Sequence, residues 1–269
     1  MDDSRRPGKS RDRQDGEENF FDNMIEGRNP VIEAFRAGRR IDKVYIARPR
    51  EGENYPAHIA AMAREKGAVV VECDRKKLDF MSKTHSHQGV IAMGAIKEYV
   101  GVEDILAIAR ERGEDPFIVI CDHLSDPYNL GAVIRSAEVA GAHGVIFPNR
   151  RSVGVTPSVA KASAGAVEHM AVARVSNIAA TVEKLKKEGV WTFAADGEGE
   201  SLLYETDFTI PCAILIGSEG EGVGRLAGER CDFRVRIPVR GKVNSLNASA
   251  AAAVMLFEAL RQRMNKKAL

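Results

Sequence analysis

The sequence predicts an α/β protein: a parallel sheet with helices on both faces, preceded by a smaller α/β module. Two observations predict it. Short runs such as FIVIC (Phe117–Cys121) and CAILI (Cys212–Ile216) are apolar without alternation, as strands buried on both faces are. Between such runs lie segments with apolar residues three and four apart, and this alternation of strand and helix is what parallel crossovers require. With 269 residues, 44% of them hydrophobic, the chain can fill one or two ordinary cores.

Residues 1–21 (MDDSRRPGKSRDRQDGEENFF) carry charges of both signs and nothing apolar between Met1 and Phe20. Such a segment cannot bury enough surface to offset its ordering entropy, which predicts a disordered tail. Residues 22–97 alternate more regularly. A helix is expected over Asn29–Ala37, a strand over Val44–Ala47, and a helix over Tyr55–Lys66 ended by Gly67. A strand over Val69–Val71, a short helix over Arg75–Met81 and a strand over Gly89–Met93 follow, giving a small three-layer module. Its basic residues cluster at Arg36, Arg39, Arg40 and Lys43, and again at Arg75, Lys76 and Lys77. Such clusters fit either a solvated face or a surface that tracks phosphates. His85, Ser86, His87 and Gln88 lie together without a cysteine or carboxylate at ligand spacing, so polar loop chemistry is expected there and not a metal.

The boundary is placed near residue 98. Beyond it the sequence predicts a helix over Val102–Arg112, strand Phe117–Cys121, helix Leu130–Ala140, strand Val145–Phe147 and a helix over Ser158–Ala164. Strand Ala171–Val175, helix Ile178–Glu188, and strands Val190–Ala194, Ala213–Ile216 and Phe233–Ile237 complete the sheet. The final helix is expected to start at Ser245, a good N-cap residue, with Leu246, Ala250, Ala253, Val254, Phe257 and Leu260 as its apolar face. The alanine run 250–253 keeps its first turns thin, so a neighbouring backbone or a flat ligand can approach closely.

Composition excludes several classes. Lys plus Arg (39) nearly equals Asp plus Glu (38), so whole-chain charge selects no partner. The four cysteines are far apart and form no C-x-x-C pair; they read as buried reduced thiols. The charged N-terminal segment does not read as a signal peptide, and no apolar run approaches the roughly 20 residues of a membrane span, which predicts a cytoplasmic protein.

Ligands of open parallel sheets collect at the carboxyl ends of strands. Three strands here run into polar, glycine-bearing loops that lead to helices: Asp122–Ala142, Ile216–Gly224 and Ile237–Ser249. The first holds Asn129 at a helix start and Arg135 among small and apolar residues. The second holds Gly217, Ser218, Gly220, Gly222 and the carboxylate of Glu219. The third holds Ser245, Leu246 and Asn247. Each alone fits an ordinary strand-to-helix turn. No G-x-G-x-x-G or G-x-x-x-x-G-K-[ST] occurs in them, so the dinucleotide fingerprint and the triphosphate-cradling loop are absent, and the lack of a G-x-S-x-G elbow weakens a serine-hydrolase reading.

Taken together, N-x-G-A-x-x-R-x-A (129–137), G-S-E-G-E-G (217–222) and I-P-x-x-G-x-x-x-S-L-N-x-S (237–249) resemble the three motifs of the SpoU/TrmH ribose methyltransferases of the SPOUT class. The module ending in H-Q-G-x-I-A (87–92) resembles the RNA-binding domain of the RlmB-like branch. The resemblance implies a C-terminal SPOUT domain (98–269) with a deep trefoil knot, and an N-terminal RNA-binding domain (22–97). It further implies a homodimer, S-adenosylmethionine as cofactor near Gly217, Ser218, Ile237 and Leu246, and no metal. The implied reaction is methylation of a ribose 2′-hydroxyl, of a guanosine in 23S ribosomal RNA. Asn129, Arg135, Glu219, Ser245 and Asn247 are the implied catalytic set. A guanidinium does not readily give up a proton, so Arg135 is expected to clamp a phosphate and lower the hydroxyl's pKa, while Glu219 could accept the proton. A transfer-RNA methyltransferase of the same fold is an alternative, and so is a non-catalytic RNA-binding protein; cofactor binding separates the latter.

Overall fold

The computed structural model describes residues 24–49, 54–82, 84–95, 97–243 and 245–267. The tail expected over residues 1–21 lies outside them. The chain forms two compact units, divided between residues 96 and 97.

The first unit has strands β1 (Met24–Glu26), β2 (Ile41–Ala47), β3 (Val69–Cys73) and β4 (Val90–Gly94), and helices α1 (Arg28–Arg36), α2 (Ala57–Glu65) and α3 (Arg75–Met81). The sheet order is β1-β4-β2-β3, with β4 antiparallel to β1 and β2, and β3 parallel to β2. Successive side chains of a strand face opposite ways. Accordingly Val44 and Ile46 of β2 pack with Val31, Phe35, Ile59 and Ala63 of α1 and α2, while Ala47 packs with Leu78 of α3. The result is three layers. Strand β1 was not expected, because three residues carry no readable period. In the loop before β4, buried His87 accepts the Gly89 amide through Nδ1 at 3.0 Å. Its other nitrogen, Nε2, therefore carries the proton and donates it to Asp79 Oδ1 at 2.9 Å.

The second unit contains α4 (Val102–Glu111), β5 (Phe117–Cys121), α5 (Pro127–Val139), β6 (Gly144–Pro148), α6 (Pro157–Ala162), α7 (Ala166–His169), β7 (Val172–Val175) and α8 (Ile178–Lys187). After these come β8 (Trp191–Ala195), β9 (Ser201–Leu202), β10 (Cys212–Ile216), α9 (Arg225–Arg230), β11 (Phe233–Arg236) and α10 (Ala248–Lys267). Its seven strands run β7-β6-β5-β10-β8-β11-β9, and every neighbouring pair is parallel. Every residue of β5, β6 and β10 is buried, which is why these strands read as unbroken apolar runs. Burial also pushes the thiols of Cys121 and Cys231 up to about 12 and that of Cys212 to about 11, so they stay protonated and unreactive.

Several expectations are corrected. The helix expected from Leu130 begins at Pro127: Asp126 Oδ1 accepts the Tyr128 amide at 3.0 Å, and proline occupies the first turn where its missing N–H costs nothing. The helix expected over 158–164 runs Pro157–Ala162 and stops before Ala164 (φ 50°) and Gly165 (φ 85°) turn left-handed, and a further short helix, Ala166–His169, was not foreseen. Strand β11 ends at Arg236, one residue before Ile237, and β9 and α9 were not foreseen.

The last helix departs most. Its cap is Asn247, not Ser245: Asn247 Oδ1 accepts the amides of Ser249 (2.9 Å) and Ala250 (3.2 Å). Its buried face is Ala248, Ala252, Met255, Leu256 and Ala259, while Leu246, Ala250 and Phe257 of the expected face are exposed and Ala253, Val254 and Leu260 half-buried. The helix is apolar around much of its circumference. Periodicity finds two stripes there and cannot say which one meets the core.

Candidate active site

Three strands whose carboxyl ends lie at one edge of the sheet, β5, β10 and β11, feed the three loops. The second loop sets the geometry. Ser218 and Gly222 exchange both backbone hydrogen bonds at 3.0 Å, closing a tight hairpin around Glu219, with Gly220 at φ 84° and Gly222 at φ 68°. A Cβ on Gly217 would sit 2.0 Å from the Gly222 carbonyl carbon, so no other residue fits without opening the hairpin.

This closure aims Glu219 at the other two loops. Its Oε1 accepts Asn129 Nδ2 at 3.0 Å and also accepts Asn247 Nδ2. Asn247 Nδ2 reaches Asn129 Oδ1 as well, at 2.9 Å. Asn129, in the first turn of α5, is buried. The amide of Asn247 is used at both ends: Nδ2 joins the cluster, while Oδ1 caps α10 and accepts Ser249 Oγ at 2.6 Å. Among the described residues no donor reaches Glu219 Oε2, which leaves one carboxylate oxygen as an acceptor for something outside the cluster.

Asp122, which the sequence reading passed over, ties the first loop to the second. It is 1% exposed, and its Oδ2 accepts the Gly224 amide at 2.8 Å. Its Oδ1 has no aligned hydrogen-bond donor, although His123 Nδ1 lies 2.6 Å away. The available signal was a carboxylate directly after an apolar strand, a position where burial requires a partner.

Other expected residues stand apart from this cluster. Arg135 is exposed and has no hydrogen-bond or ion-pair partner among the described residues. Six positions along α5 put it about 120° around the helix from Asn129, so the two side chains leave on different faces. Ser245 is exposed, and among the described residues it makes no side-chain hydrogen bond. Ser218 contributes its backbone to the hairpin. Ile237 is half-buried, whereas Val239 (46%), Val243 (71%) and Leu246 (46%) are open to solvent on the loop that leads to Asn247. Three large apolar side chains uncovered in one polar loop suit a ligand with an apolar surface. Among the described residues no group of three His, Cys, Asp or Glu could hold a metal ion, and no helix is long and apolar enough to cross a membrane.

Comparison with known proteins identifies the family. Residues 116–257, which contain all three loops, match the model of the SpoU rRNA Methylase family. The chain belongs to that family. Residues 24–100 match the RNA 2′-O ribose methyltransferase substrate binding domain. The chain is 43% identical over 239 residues to YacO of Bacillus subtilis (strain 168), named as a TrmH family tRNA/rRNA methyltransferase, covering 89% of this chain and 95% of that one. Among solved structures, the AdoMet-bound rRNA methyltransferase from Sinorhizobium meliloti is 26% identical with a TM-score of 0.56, covering 88% of this chain and 86% of that one. A structure described by the 2-OH methylation of C/U34 on tRNA is 27% identical with a TM-score of 0.52, covering 56% of this chain and 98% of that one. The protein is thus a methyltransferase of the SpoU/TrmH kind with the α/β architecture of that class.

Proposed function

We propose that the protein transfers a methyl group from S-adenosylmethionine to a ribose 2′-hydroxyl of ribosomal RNA, on a guanosine of the 23S molecule. The observation that carries the reading is the hydrogen-bonded joining of Asn129, Glu219 and Asn247 from three strand-end loops, beside the uncovered apolar residues of the third loop. S-adenosylmethionine, when bound, supplies a methyl group on a sulfonium centre that leaves as a neutral thioether. Ile237 and Leu246, with the backbone at Gly217 and Ser218, would hold it. Glu219 Oε2 is the acceptor left for the hydroxyl or its proton, with Oε1 fixed by two amides. Arg135, without a hydrogen-bond or ion-pair partner among the described residues, would take the phosphate beside the target ribose, and Ser245 would bond the ribose itself. Positioning supplies much of the rate in such a transfer.

The preference for ribosomal RNA rests on coverage. The neighbour described by transfer RNA matches little more than half of this chain, whereas the ribosomal RNA enzyme matches nearly all of it. We accordingly assign residues 22–97 to RNA binding and residues 98–269 to catalysis, with the trefoil knot around the three loops. A second copy of the chain would cover the exposed stripe Tyr128, Arg135 and Val139 of α5 and Phe257 and Met264 of α10, which brings Arg135 to a subunit interface. The cytoplasm, where ribosomal RNA is assembled, is the assigned location.

The test is methyl transfer from tritiated S-adenosylmethionine to RNA purified from a strain lacking the gene. Label in 23S RNA at a guanosine 2′-oxygen is the expected result. Label in transfer RNA alone would overturn the substrate, and absence of cofactor binding by calorimetry would overturn the activity.

A further inference from the structure

Phe80 is 92% exposed, more than any other large apolar side chain among the described residues. The reason is its place on α3, whose one buried residue is Leu78. At about 100° per residue, Phe80 points away from Leu78 and projects between Lys76 and Lys77, one turn earlier. Neither lysine is paired with a carboxylate among the described residues; Lys77 Nζ lies 5.3 Å from the Tyr45 ring centroid. The nearby acids are engaged elsewhere, Asp79 with His87 Nε2 at 2.9 Å and Asp74 with Arg48 at 3.8 Å. At its start α3 borders a cavity of about 330 Å³ lined by Arg28, Asn54, Arg75, Gln88 and Gly89 among others. Arg28 is fixed there, its Nε donating to Gln88 O at 3.2 Å and its Nη2 to Asn54 O at 3.3 Å. Gln88 holds a left-handed backbone at φ 48°, uncommon for a residue with a side chain.

An open aromatic ring set singly between two lysines is poor chemistry for a protein interface, whose buried centre is depleted in lysine. It is good chemistry for unpaired RNA, whose bases stack on aromatic faces while cations hold the phosphates on either side. We propose that the outer face of α3 grips an unpaired nucleotide: Phe80 stacks on its base, Lys76 and Lys77 hold the flanking phosphates, and the arginine-lined cavity receives the next phosphate along the strand. This rests on the RNA reading above and adds that the first unit reads an unpaired segment and not a duplex.

The experiment uses the full chain and two fluorescein-labelled RNAs, a hairpin with an unpaired loop and a blunt duplex of the same stem. Phe80→Ala should weaken hairpin binding roughly 5- to 100-fold and leave duplex binding unchanged. Phe80→Trp should restore the hairpin. Reversing Lys76 and Lys77 to glutamate should weaken binding and flatten its salt dependence by about 0.7 log units per lost contact. Unchanged hairpin affinity in Phe80→Ala would overturn the proposal, as would equal loss on both RNAs or a changed sedimentation mass of the protein alone, the mark of a protein contact. S-adenosylmethionine affinity on the same preparations separates the two readings: loop-selective RNA binding without cofactor binding would uphold this one and sink the methyl-transfer assignment.

Discussion

Asn247 Nδ2 lies 2.9 Å from Asn129 Oδ1 across 118 positions of sequence, and the same amide's oxygen caps α10. One side chain therefore serves the fold and the candidate site through different atoms, and substitution can separate them. Asn247→Asp keeps an oxygen for the cap but loses the donor to Asn129 and Glu219. Asn247→Ala loses both. Urea unfolding should show Asn247→Ala lower by roughly 1 kcal/mol through the lost cap, and Asn247→Asp lower by roughly 1 kcal/mol or more because its second oxygen meets the Glu219 carboxylate, a cost that shrinks as salt is raised. Methyl transfer should fall on the order of 100-fold in both. If Asn247→Asp kept full turnover, the donor would have no part in the reaction.

The sheet was legible because its central strands are buried on both faces, so their sequence is apolar throughout. The three loops were legible as loops from their glycines and polar residues. What periodicity could not supply was direction. Residues 246–264 carry two apolar stripes, and the one not chosen from the sequence, Ala252 with Met255 and Ala259, is the one that packs inward. Nor could spacing show that Asn247, and not Ser245, caps the helix, since both are good caps and only the pull of Glu219 and Asn129 on the amide distinguishes them. Asp122 was missed because a lone carboxylate after a strand resembles any turn residue until its partner, an amide 102 positions away, is in view.

Among the described residues Arg135 makes no hydrogen bond or ion pair that a truncation would break. Arg135→Ala should leave unfolding free energy within about 0.5 kcal/mol of the parent. Methyl transfer should fall by about 100-fold or more, and the salt slope of RNA affinity should shrink by roughly 0.7 to 0.9, the signature of one lost phosphate contact. Near-normal turnover would remove Arg135 from the site.

His143 provides a pH test remote from the reaction. It is buried, its Nδ1 accepts the Phe117 amide at 3.0 Å and its Nε2 faces Glu114 Oε2 at 3.2 Å. Burial holds its pKa below the ordinary 6.5, against the opposite pull of Glu114. The unfolded chain therefore takes up a proton near pH 6.5 that the folded chain refuses. Its contribution is fully present above that pH and declines as pH falls toward the folded value, by at most about 1.4 kcal/mol per pH unit. The stability gap between the parent and His143→Asn should narrow between pH 7.5 and 5.5. A gap that stayed constant would mean the ring titrates alike in both states.

Leu246 tests where the cofactor sits. Its side chain is 46% exposed, so the fold gains little from it, and Leu246→Glu should change unfolding free energy by no more than about 0.5 kcal/mol. A bound ligand that covers this position would instead trap an unpaired carboxylate against an apolar surface, a cost of about 1 to 3 kcal/mol, or roughly 5- to 150-fold in affinity. Calorimetry with S-adenosylmethionine should show that loss. Val239, exposed on the same loop but seven residues earlier, gives the extent of the covered surface: Val239→Glu should weaken binding as well if the ligand spans the loop. An unchanged affinity in Leu246→Glu, with the protein folded, would move the cofactor away from the third loop and leave the Asn129–Glu219–Asn247 cluster to another role.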